Sequence, residues 1–171
     1  WANELEPHQN NKLQIGILGL GFLGLNVAKQ LKSLGYRVFG FKNSKPKFKH
    51  SFPVFYKKND LNFFLHHCDV IVTILPATPK THHYIDKNFL NKMKKKALLI
   101  NTGRGSVINE RNLVSHLNKN KYFNVSLDVF ESEPLKKNSP FWQMKNTTVT
   151  PHIASLTFLD SAIDLIYKKI L

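Results

Sequence analysis

The chain has 171 residues, of which 42% are hydrophobic, so it is long enough to bury a core as one domain with at most a small extension. Lys and Arg number 25 against 11 Asp and Glu, a formal net charge of +14, but the lysines occur in scattered pairs and triplets. Without a helix-turn-helix, zinc-finger or ribonucleoprotein signature, this pattern favours a solvated basic surface and argues against nucleic-acid binding.

The sequence predicts neither a membrane-spanning segment nor a metal site. No apolar run is long enough to span a bilayer and the N-terminus lacks a basic-then-apolar signal, so we expect no membrane partner and a cytoplasmic location. The single cysteine, Cys68, excludes an internal disulfide and a cysteine metal cluster. It follows His66 and His67, where a helix-end residue is favoured over a nucleophile. No spacing of ligands predicts a bound metal.

Residues 1–12 are polar and irregular, and a dinucleotide-binding pattern begins directly after them. Gly19, Gly21 and Gly24 follow the apolar run 15–18 and open a helical pattern, the order of strand, tight turn and helix found in dinucleotide sites. Gly19 permits the sharp turn, Gly21 admits a pyrophosphate close to the backbone, and Gly24 lets the helix approach the strand. The N–H groups at the helix start then stabilise a phosphate together with the helix dipole.

The rest of the chain alternates strands with helices. The first helix is expected to bury Leu23, Val27, Leu31 and Leu34 and to end at Gly35, before a strand over 38–41. Further strands are predicted over 53–56, 69–75, 97–100, 125–127 and 147–150, and further helices over 61–67, 86–95, 109–118 and 155–171. The fold class predicted is α/β, a Rossmann-type doubly wound parallel sheet with helices on both faces and a ligand crevice at the carboxyl ends of its strands.

The loop after the second strand predicts the cofactor. NAD-specific sites place an acidic residue about ~20 positions after the glycines to bind the ribose 2′-hydroxyl. No Asp or Glu occurs between Gly24 and Asp60. A basic, hydrogen-bonding segment stands at the expected place, formed by Lys42, Asn43, Ser44 and Lys45. We therefore expect NADP(H) to be preferred, with NAD(H) as the other possible cofactor.

Arg104 follows the fifth predicted strand and should stand at the crevice. It is one of three arginines among 25 basic residues, so an arginine between two glycines indicates a need for its planar fork, which grips a carboxylate with two hydrogen bonds. A surface loop arginine is the simpler alternative.

Two further segments, 127–134 and 150–155, each follow a predicted strand. Together with 19–24 and 101–107, in this order and spacing, they resemble the D-isomer-specific 2-hydroxyacid dehydrogenases. Within that family, Ser139-Pro-Phe-Trp142 ahead of the segment at 150 is most similar to the glyoxylate/hydroxypyruvate reductases. The resemblance implies an NAD(P)-binding domain over 13–171 and a hydride transfer from NAD(P)H to a small 2-keto acid such as glyoxylate or hydroxypyruvate.

The same resemblance implies a role for each residue at the crevice. Arg104 binds the substrate carboxylate, His152 is the acid/base, and Glu133 orients and charges His152. An imidazole titrates near ~6.5, and a carboxylate beside it stabilises its charged, proton-donating form. Glu131 is a rival for the Glu133 position that only the family's Glu-Pro pairing excludes.

The residues implied to bind the cofactor share positions at strand ends or in the glycine segment. They are Gly19, Gly21, Phe22, Leu23, Gly24, Pro76, Thr81, Thr102, Gly103, Arg104, Asp128 and His152, with Asp128 expected to bond the nicotinamide carboxamide. The other histidines show no acid partner at a motif position and are interpreted as structural or surface residues: His8, His50, His66, His67, His82, His83 and His116.

Family members carry a second, flavodoxin-like domain that closes the substrate cleft. We therefore expect this chain to be a fragment or a truncated product, inactive alone, with a homodimer formed by the complete enzyme. The alternative is a non-catalytic dinucleotide-binding or interaction module that kept the fold and lost the reaction.

Overall fold

The computed structural model describes residues 10–155, and it confirms the predicted α/β class. Seven parallel strands form one sheet in the order β3-β2-β1-β4-β5-β6-β7. The strands are β1 Gln14–Leu18, β2 Arg37–Phe41, β3 Val54–Phe55, β4 Val70–Thr73, β5 Leu98–Asn101, β6 Asn124–Leu127 and β7 Thr147–Val149. The helices are α1 Phe22–Ser33, α2 Asp60–His67, α3 Lys87–Lys92 and α4 Glu110–Lys119. The lead-in before residue 10 and the helix predicted over 155–171 lie outside the described residues, apart from Ser155.

Strand β1 lies at the centre of the sheet, where the strand order reverses. It pairs with β2 on one side and with β4 on the other, and Leu18 is in register with both Phe41 and Thr73. In open α/β sheets this reversal leaves a crevice at the carboxyl ends of the two central strands. The topology therefore places the glycine turn at the crevice.

Apolar side chains cover both faces of the sheet. On one face, residues of α2, α3 and α4 such as Phe64, Leu90 and Leu113 pack into one cluster. On the other face, Ile15 and Ile17 of β1 pack with Ala28 of α1. Helices therefore cover both faces, as a doubly wound sheet requires.

The buried face of α1 agrees only in part with the prediction, since Val27 and Leu31 pack against the core but the other two leucines do not. Leu23 and Leu34, expected to be buried, are 55% and 61% exposed, while Gly24 and Ala28 are buried. The reason is close packing, since a Cβ atom on Gly24 would stand 1.9 Å from the carbonyl oxygen of Gly19. Small residues one turn apart bring α1 nearer the sheet than a leucine stripe would.

Two predicted helix ends agree with the structure. Gly35 has a φ of +88°, and the N–H groups of Gly35 and Tyr36 donate to Lys32 and Leu31, the paired hydrogen bonds of a glycine cap. Cys68 ends α2 and is fully buried, and burial raises the pKa of its thiol to about 12. A thiol that resists ionisation to this degree is a structural residue, not a nucleophile.

Two elements are shorter than predicted. β4 ends at Thr73, although Ile74 still donates its N–H to Leu18, and Pro76 then offers no N–H. α3 ends at Lys92 because Met93 adopts an extended backbone and packs its side chain in the core. The early end of β4 leaves more chain at the carboxyl edge of the sheet.

Candidate active site

The glycine turn forms the centre of the site. Gly19 has a φ of +103°, a conformation that favours glycine, and its N–H donates to the carbonyl oxygen of Phe41 at 3.0 Å. Gly21 precedes α1, and a Cβ atom there would meet nothing within 4 Å. Phe22 and Leu23, the first residues of α1, are both largely exposed. The helix start therefore faces open space into which a phosphate group fits.

A groove of about 540 Å³ runs from this turn across the ends of β4 and β5. Its lining combines the four residues from Gly21 to Gly24 with two neighbouring segments, 74–77 and 102–104. Five of the implied cofactor residues beyond the turn thus share one surface with it or adjoin it: Pro76, Thr81, Thr102, Gly103 and Arg104.

Thr81 shapes this surface from behind. It is 6% exposed, its hydroxyl donates to the carbonyl oxygen of Pro76 at 2.5 Å, and its oxygen accepts the N–H of Thr78 at 2.9 Å. These bonds fold the loop that follows β4 and hold Pro76 in the groove wall.

A second, smaller pocket lies on the other side of the glycine turn. Lys42, Asn43 and Ser44 line it together with Gly19 and Gly21, whereas Lys45 is exposed and not part of its wall. The N–H of Lys42 donates to the carbonyl oxygen of Phe55 at 3.0 Å, which fixes the start of the loop. This is where the ribose of a dinucleotide would lie in such a fold.

The loop that carries Arg104 is built around a buried amide. Asn101 accepts the N–H of Gly103 at 3.1 Å and donates to the carbonyl oxygen of Arg104 at 3.1 Å. The exposed guanidinium uses Nη1 to reach the carbonyl oxygen of Gly103 at 2.8 Å. Because a guanidinium has five N–H donors, Arg104 keeps a fork for a bound carboxylate. No role was predicted for Asn101, although a polar residue at the end of an apolar strand could have indicated a residue that shapes the following loop.

His152 and Glu133 come together from the ends of β7 and β6. His152 Nδ1 lies 2.7 Å from Glu133 Oε2, and Glu133 Oε1 accepts the N–H of Phe130 at 2.9 Å. Burial opposes ionisation of Glu133, but the Phe130 N–H and the His152 ring outweigh it and lower the pKa of the carboxyl group. The charged carboxylate engages Nδ1, so Nε2 is the ring nitrogen that a substrate oxygen would meet.

Glu131, the rival carboxylate, contacts a different histidine. Its Oε1 is hydrogen bonded to Nε2 of His83. His83 was interpreted as a structural or surface residue without an acid partner, and this interpretation is wrong about the partner. The signal was hidden because the pair joins loops 48 positions apart in the chain.

Asp128 holds the loop that presents His152. It is 4% exposed, and its carboxylate accepts the Thr150 hydroxyl at 2.5 Å and the N–H groups of Ile153 and Ala154 at 2.9 Å each. Burial would raise the pKa of Asp128, but these three hydrogen bonds outweigh it and lower the pKa. Much of the acceptor capacity expected to serve a carboxamide is thus already used within the protein.

Two negative findings apply to residues 10–155. No three His, Cys, Asp or Glu side chains stand close enough together there to hold a metal ion. No helix in that part of the chain has the length and apolar character needed to cross a membrane.

A parallel sheet with a glycine turn at its switch point, and a His–Glu pair on the same edge, defines the class of dinucleotide-binding α/β domains that serve oxidoreductases. Comparison with known proteins narrows this class. Residues 1–154 match the model of the D-isomer specific 2-hydroxyacid dehydrogenase, NAD binding domain. The chain therefore belongs to the D-isomer-specific 2-hydroxyacid dehydrogenase family.

Named relatives and solved structures agree. The chain is 35% identical over 166 residues to glyoxylate/hydroxypyruvate reductase A of Yersinia enterocolitica, covering 97% of this chain and 53% of the relative. A D-isomer specific 2-hydroxyacid dehydrogenase from Xanthobacter autotrophicus, solved with NADPH and MES, superposes with a TM-score of 0.90 at 34% identity, covering 97% of this chain and 68% of that one.

The NADPH-dependent glyoxylate/hydroxypyruvate reductase from Sinorhizobium meliloti, solved with NADP and sulfate, gives a TM-score of 0.88 at 30% identity, covering 97% of this chain and 54% of that one. The chain spans about half the length of the curated relatives it matches.

Proposed function

We propose that the protein reduces a small 2-keto acid, such as glyoxylate or hydroxypyruvate, to the 2-hydroxy acid with NADPH. The observation that carries this proposal is the 2.7 Å contact between His152 and Glu133 on the edge of the sheet that also holds the glycine turn. The names of the relatives supply the substrate class.

The residues around the turn fit a dinucleotide. The open space above Gly21 and the start of α1 would accept the pyrophosphate, and Lys42 to Ser44 would meet the ribose with its 2′-phosphate. NADPH, when bound, supplies the hydride. The fit of a cationic loop without an acidic residue supports the NADP(H) preference.

Arg104 would hold the substrate carboxylate through its fork and so orient the keto carbon toward the groove. His152 would donate a proton from Nε2 to the keto oxygen as negative charge builds on it. Glu133 stabilises the imidazolium form that gives the proton and fixes the ring through Nδ1. Asp128 holds the Thr150 side chain before that ring and the backbone of Ile153 and Ala154 after it.

A substitution tests the acid directly. His152→Gln in the full-length protein should slow NADPH oxidation by glyoxylate or hydroxypyruvate at least 100-fold, within the range of general acid catalysis, and change the NADPH dissociation constant far less than the rate. His66→Gln, an exposed histidine on α2, is the matched control and should keep the wild-type rate.

Retention of the rate by His152→Gln would contradict the assigned acid. NADPH binding by a full-length wild-type protein that turns over neither keto acid would instead favour the non-catalytic module.

A further inference from the structure

A second His–Glu pair lies beside the proposed acid/base pair. His83 Nε2 is hydrogen bonded to Glu131 Oε1, and Glu131 stands two positions before Glu133. His83 and His152 have φ values of +50° and +55°, and they are the two non-glycine residues with positive φ within 10–155. Left-handed backbone at a non-glycine residue is strained and persists only where the surroundings fix it.

Several contacts fix His83. Its N–H donates to the carbonyl oxygen of Ser106 at 2.8 Å, its ring stacks on His82 at 3.9 Å, and its Nδ1 lies 3.3 Å from the amide nitrogen of Asn109. Since that amide group can only donate, Nδ1 accepts, and the ring proton resides on Nε2. The tautomer that suits Asn109 therefore directs an N–H donor at Glu131.

Glu131 is held from a second direction. Its backbone N–H donates to Glu110 Oε1 at 2.8 Å, in the first turn of α4. Burial raises the pKa of Glu110, and the nearby charge of Glu131 raises it further. The hydrogen bond from the Glu131 backbone lowers it, but by less. The loop also abuts Gly105, where a Cβ atom would stand 1.8 Å from the backbone of Phe130. The side chain of Glu131 is thus anchored on His83 and its backbone on Glu110.

The anchored residue lies inside the turn that aims Glu133. Glu133 bonds back to the N–H of Phe130, so Glu131 lies between the two ends of that turn. The His83–Glu131 contact is about one-third exposed at both side chains and contributes little to global stability, so stability alone does not explain the strained backbone of His83. Orienting Glu133 toward His152 is a role that would account for this strained backbone.

We propose that His83 is a positioning residue for the His152–Glu133 pair, acting through Glu131. This inference rests on the proposed function and assigns His83 no contact with substrate. Loss of the His83–Glu131 bond frees the turn, so Glu133 spends less time on Nδ1 of His152 and fewer complexes carry a correctly oriented acid.

The test is a double-substitution cycle in the full-length protein with NADPH and glyoxylate. His83→Asn suits a positive φ but is too short to reach Glu131, and Glu131→Met removes the acceptor oxygens while keeping the side-chain length and the backbone bond to Glu110. Each should lower kcat about three- to tenfold, with KM for the keto acid and the NADPH dissociation constant within twofold. The double variant should be no slower than the slower single one. His66→Asn, at an exposed histidine of α2 that contacts neither His–Glu pair, is the control and should match wild type.

A spectroscopic measurement separates this proposal from the proposed function. The ring ¹⁵N shifts of His152 should move toward a mixture of tautomers in His83→Asn and Glu131→Met but not in His66→Asn, whether or not the protein is active. Unchanged kcat and unchanged shifts in both single variants would overturn the proposal, as would additive effects in the double variant. A fall in NADPH affinity that parallels kcat would also overturn it, since that result indicates general loosening of the fold.

Discussion

At the scale of single residues, the loop after β2 allows a test of the proposed NADP(H) preference. Lys42→Gln should weaken NADPH binding about tenfold and change NADH binding little, because only NADPH carries a phosphate for the lysine to meet. Lys47→Gln, an exposed lysine farther along the same loop, is the control. Fluorescence titration with both nucleotides measures the effect, and tighter binding of NADH than of NADPH by the wild type would refute the preference.

Arg104 should not be replaceable by lysine. The Arg104→Lys variant keeps the charge but offers a single flexible ammonium group, so we expect KM to rise and kcat to fall, with kcat/KM reduced at least tenfold, about 1.4 kcal/mol. Arg111→Lys on α4 provides the same chemical change at another exposed arginine. Steady-state kinetics on glyoxylate within twofold of wild type would remove Arg104 from the substrate site.

At the scale of elements, alanine substitutions at two glycines of one turn should have opposite effects on stability and on nucleotide binding. Gly24→Ala should destabilise the protein and lower its Tm, because the new methyl group meets the Gly19 carbonyl oxygen at 1.9 Å where α1 packs on β1. Gly21→Ala should leave the Tm nearly unchanged, since nothing lies within 4 Å, but should weaken NADPH binding at least tenfold by filling the phosphate space. Thermal melts and titrations on both variants test this, and equal loss of Tm would contradict it.

The loop after β7 should make stability depend on acid pH. The pKa values of Asp128 and Glu133 are lowered by folding, so their stabilising contribution is complete above their unfolded pKa near ~4 and is lost as pH falls through the folded values. Asp128→Asn removes acceptors for backbone N–H groups and should lower the Tm by several degrees at pH 7, with a smaller further loss between pH 5 and pH 3 than in wild type.

Asp60→Asn on α2, whose carboxylate accepts one exposed N–H, is the comparison for Asp128→Asn. A wild-type Tm that rises on acidification would refute the direction given for these carboxyl groups.

Local pattern predicted the elements well and their buried faces less well. Apolar runs and glycines gave all seven strands and the turn, because each signal lies within a few residues. The prediction for α1 is wrong at Leu23 and Leu34 for a different reason: both satisfy helical periodicity, but the close packing of Gly24 and Ala28 on the sheet turns them toward solvent. The hydrogen-bond partners of the carboxylates could not be predicted from the sequence. Only the fold shows that Glu131 contacts His83 and that Asp128 accepts the backbone N–H groups of 153–154.

At the scale of the whole molecule, the described part leaves the site open. Arg104 is exposed, and the His152 and Glu133 side chains are 49% and 35% exposed. The 171-residue chain alone should therefore bind NADPH but reduce either keto acid very slowly, because water screens the carboxylate from Arg104. Exposed Trp142 and Ile153 should also promote self-association. Calorimetry, absorbance assays and sedimentation check these outcomes, and full activity from a monomer would refute them.

The central position of β1 has a consequence for how the molecule folds. β4, β5, β6 and β7 are neighbours in both chain and sheet, whereas β1 pairs with β4 only by bringing Ile15 against Val70. Closing so long a loop costs conformational entropy, so we expect β1 to pair with β4 late in folding. The crevice between the ends of β1 and β4 forms only when these two strands pair, so we expect the capacity to bind nucleotide to appear late in folding. Pulse-labelling hydrogen exchange at Ile15 to Leu18, compared with β5, would date that step.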